Sequence, residues 1–180
     1  MMKGLCLDMT IYPFCERYGL ATISLPVRDL VNYTMIDPMV QRKLSVGQRR
    51  KIANYLQERD LDKVFFGPVT LSLRDVSQLA RDGNSLYLRH GSKLSVLDGQ
   101  HRILALDYVN EQFTKEVRRV ERKLASLTIK HRRDPDNREL AEEVESLTGL
   151  LEQLEKRRLD LMNSEMSVQL YVGLGEEEEK

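Results

Sequence analysis

The most regular hydrophobic pattern lies in the second half of the chain. From Leu104 to about Lys130 a helical rhythm runs through Phe113, Val117, Val120, Leu124 and Leu127, spaced alternately by four and three residues. That narrow apolar stripe predicts a long helix with a coiled-coil seam rather than a broad core-facing side. Asp134-Pro135-Asp136-Asn137 interrupts it, and Leu140, Val144, Leu147, Leu151, Leu154 and Leu161 then resume the same spacing. Two such helices joined by a short proline-containing turn predict an antiparallel helical hairpin in which each stripe buries the other.

The remainder is patterned for strands with short helices between them. Met1 to Tyr18 is weakly patterned, and Pro13 precludes a long helix there. Ile23 and Leu25 alternate with Thr22 and Ser24, predicting a strand over 21–26, followed by a turn of helix from Val27 to Val31. Ser45 to Glu58 predicts a helix: Ser45 is a cap, Gln48 its capping-box partner, and Ile52, Tyr55 and Leu56 an apolar stripe. Lys63 to Leu73 is rich in β-formers, with Pro68 near one end. Asp82-Gly83-Asn84 signals a turn, and 85–89 and 93–97 flank His90-Gly91-Ser92 as the arms of an expected β-hairpin. Strand character returns over 166–174. The fold class is therefore α+β, a core from 1–111 and 164–180 interrupted by an inserted hairpin over 112–163.

One stretch of that core carries concentrated chemistry. The strand through Leu94 and Val96 ends at Asp98-Gly99-Gln100-His101-Arg102 and turns at once into the apolar-periodic helix. Glycine admits a positive φ at such a corner, and the N–H groups of a first helical turn form a ready anion site. Arg102 offers a planar fork of donors suited to phosphate, and His101 can exchange a proton near neutral pH. Asp98 has two readings: a helix cap, or one carboxylate ligand of a Mg²⁺ ion shared with phosphates. His101 likewise is either a general base or a donor to phosphate. Arg49, Arg50 and Lys51 make the first turns of the 45–58 helix basic, either as a solvated face or as a contact for nucleotide or nucleic-acid phosphate.

Asp98-Gly99-Gln100-His101-Arg102 resembles, letter for letter, the signature of the DGQHR-domain proteins. That family includes the DndB proteins of bacterial DNA phosphorothioation systems, and its wider relatives are ParB and sulfiredoxin. The resemblance extends to Gln41-Arg42, to the helix over 48–56, and to the Phe65–Leu73 segment, about half the chain. It implies a ParB/sulfiredoxin-like small mixed sheet with helices. It also implies a site for a nucleoside triphosphate with Mg²⁺, in which Gly99, Gln100, His101, Arg102, Gln41 and Arg42 meet the phosphates. Two departures stand out: a long heptad hairpin replaces a short connection after the signature helix, and the family's C-terminal helical region does not follow the last strand. The chain thus reads as a shortened member, a split product or a fragment.

Composition narrows the rest. Lys+Arg and Asp+Glu number 28 each, so any nucleic-acid contact must come from a local patch. Only Cys6 and Cys15 are present, without metal-ligand spacing, and the sequence offers no haem motif; a reducing compartment without zinc or haem is expected. No apolar run approaches the ~20 residues that span a bilayer, which points to a cytoplasmic protein without a membrane partner. Arg118, Arg119, Arg122, Lys123, Lys130, Arg132 and Arg133 suggest a basic arm, offset by acidic residues of the second helix.

Three functions follow as expectations. The first is a nucleotide-responsive regulator that meets DNA, directly or in a complex, in a DNA-modification or phage-defence system. The second is a DNA nickase, nuclease or nucleoside triphosphatase using Asp98 and His101. The third is a scaffold that assembles as a homo-oligomer or with a partner protein through 112–163.

Overall fold

The computed structural model describes residues 4–7, 9, 11–14, 18–37, 45–59, 64, 66–82, 85–175 and 177–179. They form a mixed α+β structure with two sheets and four α-helices. The chain divides into two compact units, residues 1–106 with 163–180, and residues 107–162.

In the first unit, β1 (Leu5–Leu7), β2 (Tyr12–Phe14) and β3 (Tyr18–Pro26) precede α1 (Val27–Tyr33) and β4 (Thr34–Met35). Then come α2 (Val46–Glu58), β5 (Val69–Leu73), a 3-10 turn at Val76–Gln78, β6 (Leu79–Asp82), β7 (Ser85–Leu88) and β8 (Leu94–Asp98), with β9 (Glu165–Val172) closing the series. The larger sheet has the order β2-β3-β9-β5-β8-β4, and the smaller has the order β1-β7-β6. The weakly patterned N-terminal stretch thus supplies an edge strand to each sheet.

Strand position explains composition. β9 alternates strictly, with Met166, Val168, Leu170 and Val172 buried, as expected of a strand with one covered face. β5 lies between β9 and β8 and buries Val69, Leu71, Ser72 and Leu73. It begins at Val69 rather than Lys63, because Pro68 has no N–H to give a ladder. Phe65 lies outside the described residues.

The expected hairpin between 85–89 and 93–97 does not form. β7 pairs with β6 and β1 in one sheet, whereas β8 pairs with β5 and β4 in the other. The competing pairing sets Asp82 opposite Ser85, a connection of two residues against the three of His90-Gly91-Ser92, and two-residue connections are the commonest in hairpins. His90 and Gly91 instead carry the chain from one sheet to the other, Gly91 at φ +84°. Gly83 and Asn84 lie outside the described residues.

The helical hairpin consists of α3 (Gln100–Arg133) and α4 (Arg138–Asn163). Asn137 caps α4, its Oδ1 accepting from the Leu140 N–H at 3.2 Å. Lys123 pairs with Glu143 at 2.7 Å and the Arg157 guanidinium lies 5.8 Å from the centre of the Phe113 ring. The pair nearer the turn on α3 is also the nearer on α4, and the farther pair the farther on both, so the helices run antiparallel. Phe113, Val117, Val120 and Leu127 are buried along the α3 stripe. Among the described residues, no helix is long and apolar enough to cross a membrane.

Candidate functional site

The corner that joins β8 to α3 is built around Gly99, whose φ is +94°. A methyl group there would sit 2.6 Å from Val69 Cγ1, so both conformation and space demand glycine. The Gly99 carbonyl accepts from the Arg102 N–H at 2.9 Å and the Ile103 N–H at 3.1 Å, which opens the helix. Gly99 therefore stands at the cap position. Asp98 lies one residue outside it, and its carboxylate goes to Arg102 rather than to a first-turn N–H; the cap reading of Asp98 is corrected. The Ile103 bond is the ordinary first bond of a helix, so the Arg102 N–H is the one first-turn donor that the corner closes onto Gly99.

Arg102 is engaged from within the protein. Its Nη1 donates to the Gly67 carbonyl at 2.5 Å and the Pro68 carbonyl at 3.0 Å, and its Nη2 to Asp98 Oδ2 at 2.7 Å. Three of the five N–H groups of a guanidinium are thus used, and the other two have no partner among the described residues. The ion pair is lopsided: the Arg102 side chain is 19% exposed and the Asp98 side chain 75%. Hydrogen bonds from a charged donor contribute about 1.5–3 kcal/mol each, whereas an exposed ion pair at this helical spacing contributes about 0.3–0.5 kcal/mol. The carbonyl bonds therefore dominate. Arg102 is first a clamp on the chain that leads into β5, with its fork only partly directed at solvent.

His101 joins the corner to α2. Its Nε2 accepts the Ser45 backbone N–H at 2.9 Å, which requires a neutral ring with its proton on Nδ1. Ser45 caps α2 as its sequence suggests, its Oγ accepting the Gln48 N–H at 3.3 Å. The reciprocal half of the capping box is replaced: the Ser45 N–H goes to His101 instead of to the Gln48 side chain. With Nε2 occupied, Nδ1–H is the ring's remaining polar group.

The other expected contacts divide. Gln100 is buried at 6% exposure, away from the surface where it would orient a ligand oxygen. Arg49 is half-buried and shares the α2 face of Ser45, Ala53 and Leu56, one turn beyond the residue that His101 holds. Arg50 and Lys51 are exposed. Gln41 and Arg42 lie outside the described residues. Among the described residues, no group of three or more His, Cys, Asp or Glu gathers to hold a metal. A Mg²⁺ ion at this corner would accordingly draw one ligand from Asp98 and the rest from phosphate and water, a mixture Mg²⁺ commonly accepts.

A second polar cluster gave no signal in the sequence. Arg74 donates to Glu179 Oε2 at 2.6 and 2.9 Å and to Asp37 Oδ2 at 2.8 Å. The Glu179 side chain is fully buried there. Glu179 first, and Asp37 second, hold the guanidinium more firmly protonated than an ordinary arginine. The partners lie 105 and 37 residues away, beyond any spacing rule.

No protein-family model matches the chain, and neither a curated protein nor a solved structure matches it.

Proposed function

We propose that this chain is a nucleotide- or phosphate-binding, ParB-like domain of a bacterial DNA-modification or phage-defence system, acting as a regulator that meets DNA directly or in a complex. The reading rests on the likeness of Asp98-Gly99-Gln100-His101-Arg102 to the DGQHR signature. The observation that carries it is the lopsided Asp98–Arg102 pair: the cation is held in place by two carbonyls, while the anion opposite it is open to solvent. A phosphate oxygen can replace the Asp98 carboxylate on Nη2 at little cost, because one charge-assisted bond is exchanged for another. The released carboxylate then faces the phosphate group, where Mg²⁺, if bound, supplies charge neutralisation between them.

The regulatory step follows from His101. Its bond to the Ser45 N–H ties the corner to the start of α2, where Arg49, Arg50 and Lys51 lie. A ligand that draws on the His101 Nδ1–H shifts the ring and the cap together. Occupancy of the corner is thereby transmitted to a basic helix start suited to a nucleic-acid backbone. The same bond weighs against His101 as a general base, since Nε2 already accepts a proton donor.

Isothermal titration with ATP, CTP and GTP, with and without Mg²⁺, tests the reading. Binding without turnover is expected. Mg²⁺-dependent turnover abolished by His101→Ala would make the protein an enzyme, and no binding of any of the three nucleotides would leave the scaffold function.

A further inference from the structure

We infer that the outer face of α4 is a seam for a second copy of this chain, packed antiparallel about a two-fold axis through Gly149. The inference stands apart from the nucleotide reading, because it draws on no residue of the Asp98–Arg102 corner.

The stripe of α4 that carries Leu140, Val144, Leu147, Leu151 and Leu154 is half-buried. Two residues round from it, on the opposite side of the helix, runs a polar line: Arg138, Glu142, Glu145, then Gly149, then Gln153, Lys156 and Asp160. Its spacings are four, three, four, four, three and four, the same read from either end. Such spacing defines a straight contact line along one helix face.

The side chains on that line complement each other under one operation only. Turned end over end about Gly149, Glu142 meets the second copy's Lys156, Arg138 meets Asp160, and Glu145 meets Gln153. Each opposite-charge pair occurs twice, as a two-fold interface requires. A parallel arrangement would set Glu142 against Glu142 and Lys156 against Lys156, so the charge pattern selects the antiparallel one. It equally disfavours a partner of uniform charge, because both signs occur on each side of Gly149: Arg138 with Glu142 and Glu145 on one, Lys156 with Asp160 on the other.

The centre of the line is shaped for close approach. Glu142, Glu145, Ser146, Gly149, Leu150 and Gln153 border a shallow, open groove on this one helix face. A methyl group on Gly149 would meet nothing within 4 Å, and its backbone has no left-handed φ, so nothing within the chain calls for glycine there. Glycine in a helix interior weakens the helix, which is understandable if another backbone must come near. Leu150 is 42% exposed beside it, and in the dimer each Leu150 covers the second copy's groove. The Arg138–Glu142 bond within the helix, 3.0 Å long, is exposed and joins the intermolecular charges into one network.

Sedimentation equilibrium of the full chain in low salt, with helix content followed by circular dichroism, tests the seam. The wild type should be a dimer that dissociates as salt rises. Gly149→Glu, a better helix former that sets like charges on the axis, should give a folded monomer. Glu142→Lys and Lys156→Glu should each raise the dissociation constant about tenfold, since each reverses two symmetric contacts. The double variant should return to the wild-type value. A wild type that stays monomeric at every concentration would overturn the proposal, as would a dimer unaffected by Gly149→Glu or single reversals not rescued by the double one.

Discussion

The first turn of α3 and the remainder of that helix are held by different forces. At the first turn, Arg102 and His101 reach backbone groups of Gly67, Pro68 and Ser45, so a few polar bonds join stretches far apart in sequence. Farther along, Phe113, Val117, Val120 and Leu127 bury an apolar stripe in a hairpin whose ion pairs, such as Lys123–Glu143, are exposed. The corner depends on a few irreplaceable side chains. The hairpin distributes its stability over many exchangeable ones.

Excising 112–157 and joining the ends with a short glycine linker should have the largest structural effect and yet leave a core. Most of the helical circular dichroism should vanish, while a cooperative thermal transition and any nucleotide affinity remain. A molten or insoluble product would show that the two regions are not separable. At the corner a single methyl group should matter more than many changes in the hairpin. Gly99→Ala combines a positive φ with a clash against Val69 and should cost about 3 kcal/mol in urea unfolding.

Arg102→Ala should cost about 2 kcal/mol, because it leaves the Gly67 and Pro68 carbonyls without their charged donor. Loss below about 0.5 kcal/mol would deny it the clamp role. At the small end, Lys123→Ala removes an exposed pair and should change stability by less than about 0.5 kcal/mol. Equal effects of Arg102→Ala and Lys123→Ala would erase the contrast between corner and hairpin.

The same contrast decides what could be read in advance. The hairpin was legible because an apolar stripe writes its period into residue identity, and both helices and the turn at 134–137 follow from it. Gly99 as the turning point was legible for a similar reason. The partners of Arg102 and His101 were not, since the atoms they meet are backbone carbonyls, which every residue carries, and an N–H group, which every residue but proline carries. The mispaired strands 85–88 and 94–98 show a related limit. Alternation says that a segment is a strand but not which neighbour it takes, and the two-residue link between Asp82 and Ser85 decided that. The Arg74 cluster depends on Asp37 and Glu179, brought together only by the finished fold.

The most direct test of the central claim is calorimetric titration of ATP without Mg²⁺ into the wild type and Asp98→Asn, each shown to be folded. If the Asp98 carboxylate occupies the place on Arg102 that a phosphate takes, removing its charge should leave the fold intact and tighten binding several-fold. Weaker binding by Asp98→Asn under these conditions, or none by either protein, would contradict the exchange of one anion for another at this corner.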